Sequence, residues 1–452
     1  MARQSPEHLR VALLVYRGNP HSGGQGVYTR YLSRQLVELG HEVTVFAGQP
    51  WPDLDPEVGW VPVPSLDLYR EPDPFRVPRI EEFRSWVDVL EFGLMCTAGF
   101  PEPLTFSLRV RRELAARRSD FDLVHDNQCL GRGLLGVLAD GWPLVATLHH
   151  PITVDRALDL SHAATWGRRL SLRRWYGFLG MQMSVARRVP RIVTVSESSK
   201  RDIVAQMGVD PAQLAVVPVG VDHTRFRPLP ARTRVPGRIM TTASADVPMK
   251  GLVPLLEAVA KVRTEREADL VIIGKARAES RVDEAIERLG LSGAVTFVSG
   301  VSDERIVELY AEASVAVVPS LYEGFSLPAI EAMACGVPLV ATTGGALPEV
   351  VGKNGRTGLL VPPGDPGALA VALGRVLDDP ALAARLSAAG RQRVLERFTW
   401  RACALATVEH YRWALEHAPA GRGGRRGGMV PGSYRAGVER AAAAVGADRE
   451  SC

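Results

Sequence analysis

Hydrophobic and polar positions alternate between two patterns along most of the chain. The apolar run RVALLVY at 10–16 has the length and the Val and Leu content of a buried strand in a parallel sheet. Apolar residues then recur every three or four positions between 28 and 39, which predicts an amphipathic helix that ends at Gly40. HEVTVFAG at 41–48 predicts the next strand, so the chain opens with a β-α-β unit.

The same alternation continues in two series. In the first, apolar runs occur within the segments 121–128, 143–150, 191–208 and 215–228. A Pro/Arg-rich linker at 229–238 separates this series from the second, whose segments are 238–251, 268–275, 294–300, 313–320, 337–345 and 357–365. Because strands and helices alternate throughout, we predict an α/β fold made of two doubly wound, Rossmann-like domains.

These patterns also suggest where the domains begin and end. We expect an N-terminal domain over 1–220 and a C-terminal domain over 221–395. Residues 396–417 predict a helix that crosses back to the first domain, and the Gly/Arg-rich tail 418–452 predicts disorder. Residues from about 50 to 110 are rich in Pro and aromatic side chains, which predicts an irregular excursion of the kind that forms functional loops.

Composition narrows the class of protein. The chain has 452 residues, of which 46% are apolar and 23% charged, as expected for a globular protein of more than one domain. Its formal net charge of +4 is too mild to indicate a nucleic-acid partner. The N-terminal apolar run of about six residues is shorter than a signal-peptide core or a membrane span. We therefore expect a cytoplasmic protein.

Nothing in the sequence indicates a metal site. The five cysteines are scattered without a CxxC pair, which is typical of reduced thiols and not of a disulfide framework or a zinc site. Two D-x-D pairs, at 53–55 and 120–122, have the spacing of metal-dependent transferases of another fold. The first lies in the Pro-rich stretch and the second precedes a strand, so we interpret both as structural.

The segment PSLYEGFSLPAIEAMACGVP at 319–338 contains the most informative chemistry. An apolar strand leads into it and a helix follows, with Pro328 in the first turn and Ser326 as the expected N-cap. The loop EGFS thus places backbone N–H groups at a helix N-terminus on the carboxyl edge of a parallel sheet, which suits a phosphate. Taken alone, Glu331 could simply complement the helix dipole, and Glu323 could be a solvated loop acid.

The whole pattern, from Pro319 through GGALPEVV to GLLVPPGD, resembles the retaining nucleotide-sugar glycosyltransferases of family four. The resemblance covers about residues 9–415 and is strongest at 313–365. It implies the GT-B fold, in which two Rossmann-like domains face each other across a cleft. It also implies transfer of a hexose from a nucleotide diphosphate-sugar with retention of configuration, without a metal and without a cofactor other than that substrate.

The resemblance assigns roles to residues of the second domain. Glu331 would hold the ribose hydroxyls of the donor, and Glu323 would lie against the transferred sugar as a catalytic residue. Lys250, in MKG, would bind the diphosphate. Backbone N–H groups between the two acids would meet the sugar and phosphates, from Gly324, Phe325, Ser326 and Leu327.

The chain departs from the family pattern at one position. Ser244 and Ala245 stand where the family usually has Gly-Arg, and that arginine is the second cation for the diphosphate. Lys275 and Arg277 are candidate substitutes. The departure leaves donor affinity open.

The first domain has weaker signals. Gly23 and Gly24 resemble family glycines that approach the transferred sugar; a G-x-x-G turn also suits a nicotinamide dinucleotide, but the acid expected at the end of the second strand is missing. His125 and His149 lie at strand ends, where histidines are more often structural, although the resemblance favours contacts with sugar and acceptor as catalytic residues. SESSKRD at 196–202 predicts a helix N-cap with contacts in the cleft.

The segment 164–191 combines arginines with aromatic residues, and its candidates for membrane or acceptor contacts are Arg168, Arg169, Arg173, Arg174 and Trp175. A basic amphipathic helix on an anionic membrane surface fits this pattern. An ordinary packed helix with a solvated arginine face fits it too, and so does a helix that binds a phosphorylated or otherwise anionic acceptor. On the first interpretation the protein is peripheral at the inner face of the membrane.

Two other functions remain open at this point. The fold alone does not fix the chemistry, so a GT-B phosphorylase or a sugar-nucleotide epimerase is an alternative. The missing arginine at Ala245 also allows a catalytically lapsed, membrane-associated protein that only binds a sugar nucleotide. The sugar, the nucleotide, the acceptor and the oligomeric state are not specified by the sequence.

Overall fold

The computed structural model describes residues 7–19, 24–70, 72–163, 165–243, 247–275 and 280–418. These residues form two α/β units, each built around one parallel sheet, which confirms the predicted fold class. The first unit contains the described residues up to Thr194, Lys200–Val217 and the described residues from Ala404 to Ala418. The second contains Val195–Ser199 and Pro218–Cys403, so the division differs from the single boundary expected between 220 and 221.

The sheet of the first unit has the strand order β3-β2-β1-β4-β5-β6-β7. Its strands are β1 (Arg10–Val15), β2 (Glu42–Ala47), β3 (Gly59–Pro62), β4 (Leu123–Asn127), β5 (Leu144–Thr147), β6 (Arg191–Thr194) and β7 (Leu214–Val216). The order reverses between β1 and β4, and the loops after these two strands therefore meet at a topological switch point, where open α/β sheets bind ligands.

Eight helices accompany these strands in the described part of the chain. They are α1 (Gly24–Glu38), α2 (Trp86–Cys96), α3 (Glu102–Ala116), α4 (Gly133–Ala139), α5 (Thr153–His162), α6 (Trp166–Trp175), α7 (Leu179–Ala186) and α8 (Glu197–Met207). The predicted stripe of α1 is buried at Tyr28, Leu32 and Leu36, and β1 is fully buried from Val11 to Val15. The hydrophobic pattern therefore identified the core-facing positions of these elements.

The Pro-rich excursion is more regular than predicted. β3 pairs in parallel with β2 at the edge of the sheet, and α2 and α3 follow it. α3 buries Phe106, Val110 and Leu114 in the core of the first unit. The prediction of an irregular excursion is therefore corrected: the segment contains an edge strand and two helices, and Phe106, Val110 and Leu114 recur at helical spacing on one face of α3.

The arginine-rich segment is not one continuous helix. α6 ends at Trp175, a 3-10 turn covers Tyr176–Phe178, and α7 begins at Leu179. In the described ranges, none of the helices is both long and apolar enough to cross a bilayer.

The second unit has the strand order β10-β9-β8-β11-β12-β13. Its strands are β8 (Arg238–Thr242), β9 (Asp269–Ile273), β10 (Val295–Val298), β11 (Val315–Val318), β12 (Leu339–Thr342) and β13 (Leu359–Val361). This is the 3-2-1-4-5-6 order of doubly wound nucleotide-binding sheets, and its switch point lies between β8 and β11. The loops after β8 and β11 contain Lys250 and Glu323, respectively.

Eight helices in the described part of the chain accompany this sheet: α9 (Leu252–Arg263), α10 (Arg281–Arg288), α11 (Asp303–Glu312), α12 (Leu327–Ala334), α13 (Leu347–Val351), α14 (Pro366–Asp378), α15 (Pro380–Arg397) and α16 (Trp400–Glu416). α16 is divided between the units after Cys403, and its remainder belongs to the first unit. The tail expected to be disordered lies outside the described residues beyond position 418.

Candidate functional site

The loops after β8 and β11 pack directly against each other. Leu321 N donates a hydrogen bond of 2.7 Å to the Met249 carbonyl. Gly251 has a φ of +66°, and a Cβ at this position would lie 2.1 Å from the Pro319 carbonyl oxygen. Only glycine fits both the left-handed backbone and the close approach, so the MKG sequence fixes where Lys250 is placed.

This packing brings Lys250 and Glu323 into contact. Lys250 Nζ lies 2.8 Å from Glu323 Oε1, and Ser320 Oγ donates to the same carboxylate oxygen at 2.6 Å. The Glu323 side chain is 11% exposed and that of Lys250 is 32% exposed. The two residues predicted to touch different parts of one ligand are therefore neighbours, and Ser320 is a partner that the sequence analysis missed.

The diglycine turn after β12 supports the loop that contains Glu323. A Cβ at Gly345 would lie 2.2 Å from the Glu323 carbonyl oxygen, and one at Gly344 would lie 2.5 Å from the Leu321 carbonyl oxygen. Ala346 N donates to the Glu323 carbonyl at 2.9 Å. The two glycines are required because the backbone of the turn lies directly against the loop.

The N-terminus of α12 differs from the prediction at the N-cap residue. Ser326 occupies the N-cap position, but its φ is +99° and its side chain makes no capping hydrogen bond. Its Oγ is buried and has no partner among the described residues. A backbone in the left-handed region does not aim the hydroxyl at the amides of the first turn, so Ser326 does not act as the expected cap.

The amide groups of this loop do not donate to any acceptor in the described part of the chain. Among the described residues, no hydrogen bond uses the N–H groups of Gly324, Phe325, Ser326 or Leu327 as donors. Free amides at the start of a helix attract anions, because they add to the positive end of the helix dipole. Phe325 itself is buried and packs edge-on against Phe398, with ring centroids 5.6 Å apart.

Glu331 lies one turn further along α12 and is half-buried. Desolvation raises its pKa to about 7, the charge of Asp303 adds to this rise, and a hydrogen bond from Tyr310 opposes it. The hydroxyl of Tyr310, on α11, also lies 3.3 Å from Thr242 Oγ1. The sequence analysis identified Glu331 but missed Tyr310, which is 2% exposed and resembles a core aromatic residue in its helix.

The segment Val195–Ser199 contacts the same loop within the second unit. The hydroxyls of Ser196 and Ser199 donate to the Gly324 carbonyl at 2.7 and 3.1 Å. The Glu349 carboxylate, on α13, accepts hydrogen bonds of 2.7 Å from the N–H groups of Glu197 and Ser198. The predicted helix N-terminus in SESSKRD is thus present, with a carboxylate from a distant part of the sequence as its cap.

In the first unit, His125 lies in the interior with both ring nitrogens bonded. Its ring is fully buried, with Nδ1 2.6 Å from the Tyr411 hydroxyl and Nε2 2.7 Å from Thr147 Oγ1. Burial lowers its pKa to about 3, with a smaller contribution from His149. Both nitrogens are bonded inside the unit, which favours a structural role for His125 over the predicted catalytic one.

His149 is half-buried and more available. Its Nε2 lies 2.8 Å from Asn127 Oδ1, and its ring packs edge-on against Tyr28 with centroids 4.8 Å apart. Burial lowers its pKa to about 3, with a contribution from His150. Because the amide oxygen of Asn127 can only accept, the neutral ring carries its proton on Nε2, which leaves Nδ1 as an acceptor.

The glycine-rich turn is described only in part. Gly23 lies outside the described residues, and Gly24 is the exposed first residue of α1. A Cβ at Gly24 would meet nothing within 4 Å, so the protein itself does not require glycine there. The constrained residue is Gly26, where a Cβ would lie 1.8 Å from the Asn19 carbonyl oxygen.

The candidate substitutes for the missing arginine are only partly visible. Ser244, Ala245 and Arg277 lie outside the described residues. Lys275 is exposed and follows β9, the neighbour of β8, at the same carboxyl edge of the sheet as Lys250. It forms no salt bridge with any described carboxylate.

The arginine–aromatic segment is oriented differently from the prediction. Trp175 is half-buried and packs against Tyr69 and Phe100, with ring centroids 5.5 and 5.0 Å apart, so it does not face outward. Arg174 donates to Thr97 Oγ1 at 2.9 Å, and Arg169 to the Ala163 carbonyl at 3.2 Å. The exposed apolar residues of α6 are instead Trp166 and Leu170. Arg168 and Arg173 are exposed beside them.

In the described part of the chain, no three His, Cys, Asp or Glu side chains cluster as metal ligands. Both D-x-D pairs contain carboxylates that pair with arginines. Asp122 lies 2.8 Å from Arg10, and Asp55 pairs with Arg34. These contacts give the two pairs a structural role.

The second unit thus presents a cation, a carboxylate, a set of unused amides and a second, titratable carboxylate around one switch point. Cation and amides are complementary to a phosphate, and carboxylates accept hydrogen bonds from hydroxyl groups. The arrangement can bind a ligand that has an anionic centre with hydroxyl groups on either side.

Comparisons with known proteins agree with this chemistry. Residues 22–225 match the family model "Glycosyltransferase Family 4", and residues 232–393 match "Glycosyl transferases group 1". The chain is 53% identical to an MMP alpha-(1->4)-mannosyltransferase of Mycolicibacterium hassiacum, over 91% of this chain and 100% of that protein. It is 30% identical to a D-inositol 3-phosphate glycosyltransferase of Kineococcus radiotolerans, over 93% and 99% of the two chains.

A solved structure shares the fold over most of the chain. The sucrose-phosphate synthase of Thermosynechococcus elongatus matches with a TM-score of 0.68 and 25% identity, and covers 90% of this chain and 98% of its own. The chain therefore belongs to glycosyltransferase family 4 and is a glycosyltransferase with the GT-B fold.

Proposed function

We propose that this glycosyltransferase moves a hexose from a nucleotide diphosphate-sugar to an acceptor hydroxyl, with retention of configuration and without a metal. The observation that carries the proposal is the contact of Lys250 with Glu323 beside the unused amides of Gly324–Leu327. The cation and the amides would neutralise the diphosphate as it leaves. Glu323 would accept hydrogen bonds from the transferred sugar, and Glu331 from the ribose.

In the proposed reaction the bond between the anomeric carbon and the diphosphate oxygen breaks as the acceptor oxygen bonds to the same face of the sugar. The proton of the acceptor hydroxyl passes to the leaving phosphate oxygen. The products are a nucleoside diphosphate and a glycoside. Lys250 and the amides would act mainly on the charge that develops on the leaving group, so their effect should be larger on turnover than on substrate binding.

Mannose is the sugar that we propose, in an α-(1→4) linkage. The support is the 53% identity with the mannosyltransferase over almost the whole chain. A candidate acceptor is an anionic one such as an inositol phosphate. The relatives named D-inositol 3-phosphate glycosyltransferases and the exposed arginines of α6 favour it.

The first test is binding and turnover by the purified protein. UDP-, GDP- and ADP-sugars, including GDP-mannose, are screened by thermal shift, and at least one should raise the unfolding temperature. Transfer is then measured with methyl α-mannoside, short mannosides and inositol phosphate as acceptors. The one-bond coupling between the anomeric carbon and its proton in the NMR spectrum of the product reports retention or inversion, because the H1–H2 coupling of mannosides is small in both anomers. No stabilisation by any sugar nucleotide would contradict the proposal.

Two variants test the roles of Glu323 and Lys250. Glu323→Ala removes the partner of Lys250, and we expect it to keep nucleoside diphosphate affinity within about threefold while turnover falls by at least about 100-fold. Lys250→Ala should lower the affinity for the nucleoside diphosphate about tenfold, because a hydrogen bond to a charged group is lost. Tight binding with no turnover of any acceptor by the wild type would favour a catalytically lapsed protein.

We also propose that α6 places the protein on an anionic membrane surface. Trp166 is 76% exposed and Leu170 is 52% exposed, one turn apart on the same helix face, with exposed arginines beside them. Such a face suits the interface of a bilayer with acidic head groups. The competing proposal is that these arginines bind an anionic acceptor, and vesicle binding together with the KM for inositol phosphate separates the two.

A further inference from the structure

The carbonyl of Gly324 is held by two hydroxyls from another part of the chain. Ser196 Oγ donates to it at 2.7 Å and Ser199 Oγ at 3.1 Å. Ser199 N in turn donates to Ser196 Oγ at 2.9 Å, which fixes the Ser196 side chain. Both serines are buried, 2% and 0% exposed, so water does not compete for these bonds.

The backbone that carries the two serines is also anchored. The Glu349 carboxylate accepts from the N–H groups of Glu197 and Ser198, at 2.7 Å each, in the first turn of α8. A carboxylate at a helix N-terminus is favoured by the helix dipole, and hydrogen bonds to an ionised group are stronger than those between neutral groups. The positions of Ser196 and Ser199 are therefore set by a two-point contact with α13.

The hydroxyl bonds fix the orientation of one peptide unit. The peptide between Gly324 and Phe325 is planar and trans, so its N–H points away from the side to which its carbonyl points. With the carbonyl directed at the two serines, the Phe325 N–H is directed away from them. That N–H donates to no acceptor in the described part of the chain, so it remains free to meet a ligand.

We propose that Ser196 and Ser199 are positioning residues for the donor site. They hold the 324–325 peptide so that the Phe325 N–H faces the diphosphate of the sugar nucleotide. This inference rests on the proposed function, because the diphosphate is the group that the amide would meet. A purely structural role, in which the hydroxyls only satisfy a buried carbonyl, predicts a loss of stability without a selective loss of diphosphate affinity.

The test uses the double variant Ser196→Ala/Ser199→Ala of the full chain. UDP, GDP and ADP are titrated against the wild type by calorimetry, and the one that binds is compared with its own nucleoside by ligand-observed NMR. The double variant should lose about 10- to 100-fold in affinity for the diphosphate, the loss expected for one hydrogen bond to a charged group, and keep its affinity for the nucleoside. Ser198→Ala is the matched control, since only the backbone N–H of Ser198 contacts Glu349 and alanine retains it.

Each outcome decides the point. Equal losses for diphosphate and nucleoside, or no loss relative to Ser198→Ala, would overturn the positioning role while leaving the proposed function intact. Failure of the wild type to bind any of the three diphosphates would overturn the proposed function and this inference with it. If the double variant does not fold, the single variants replace it, because each leaves one hydroxyl on the Gly324 carbonyl, and each should show a smaller loss confined to the diphosphate.

Discussion

Glu331 is the residue whose charge state should control donor binding near neutral pH. Its pKa of about 7 results mainly from desolvation, so the neutral form prevails in the free protein at lower pH. Only the ionised form accepts hydrogen bonds on both oxygens from ribose hydroxyls. Below pH 7, a ligand that requires the carboxylate can bind only when Glu331 loses its proton, which weakens binding. Above pH 7, Glu331 is already ionised and binding has no such cost.

We accordingly expect the affinity for the bound nucleoside diphosphate to fall by up to about tenfold per pH unit as the pH drops from 7 to 5. The measurement is a titration at half-unit steps with the wild type and with Glu331→Gln. The ligand's own phosphate titrates in this range too, but equally for both proteins, so the difference between the two curves reports Glu331. Parallel curves would contradict the assignment. His125 and His149 do not confuse the result, because their pKa values are about 3.

A second variant tests the cause of the pKa. The Tyr310 hydroxyl favours the ionised form of Glu331, so Tyr310→Phe should raise the pKa of Glu331 further and move the curve to higher pH. A structural disturbance of α11 would instead weaken binding at every pH. A pH-independent loss would therefore show that Tyr310 acts through packing alone.

At the residue scale, the sequence identified candidate functional side chains but not the residues that surround them. Glu323, Glu331 and Lys250 could be named because the resemblance aligned them with a motif. His125 had the same kind of support, yet the structure buries both of its nitrogens against Tyr411 and Thr147. Tyr411 lies 286 residues away from His125, and no local pattern reports a contact of that separation.

At the scale of elements, the site follows from strand order. Lys250 and Glu323 are 73 residues apart and meet because β8 and β11 are neighbours at the point where the order reverses. Alternating strands and helices predicted the layers, whereas the close approaches at the glycines of MKG and TTGG became visible only in the structure. The hydrophobic periodicity could not predict that β8 pairs with β11, because each strand alone is only a short apolar run.

Gly251 provides a test of this element contact. Alanine there would meet the Pro319 carbonyl at 2.1 Å and would also adopt a φ of +66°. The loop after β8 must therefore shift, and with it Lys250. We expect Gly251→Ala to weaken nucleoside diphosphate binding at least about tenfold, measured by calorimetry, as expected when a charged hydrogen bond is misplaced.

Gly290→Ala is the control that separates backbone strain from the displacement of the loop after β8. Gly290 has nearly the same φ, +65°, but a Cβ there would meet nothing within 4 Å. It should lose only the roughly 1–2 kcal/mol of stability expected for a left-handed non-glycine residue, with unchanged affinity. If Gly251→Ala changed only the unfolding temperature, as Gly290→Ala should, the packing of the two loops would not matter for binding.

At the scale of the whole chain, charge is distributed unevenly although the net value is only +4. Residues 160–196 contain seven arginines and no aspartate or glutamate. In the structure, none of these arginines forms a salt bridge with a carboxylate of the described ranges. Composition showed the arginines, but only the structure showed that Trp175 is packed inside and that Trp166 and Leu170 face outward.

This distribution gives the membrane proposal a quantitative test. Each exposed arginine near an anionic bilayer contributes about 1 kcal/mol, so Arg168→Gln/Arg173→Gln should reduce binding to vesicles of phosphatidylcholine with 30% phosphatidylglycerol by about 30-fold. Binding is measured by co-sedimentation at 50 and 200 mM salt, and it should weaken with salt because the attraction is screened. Vesicles of phosphatidylcholine alone should bind neither protein.

Arg385→Gln/Arg401→Gln is the matched control, since it removes the same charge from exposed positions on α15 and α16. It should bind anionic vesicles as the wild type does, because those arginines lie outside the segment with Trp166 and Leu170. Equal weakening by both pairs would show attraction by net charge and not by α6. If the wild type ignores anionic vesicles but Arg168→Gln/Arg173→Gln raises the KM for inositol phosphate and not for methyl α-mannoside, the arginines serve an anionic acceptor, and the membrane proposal is wrong.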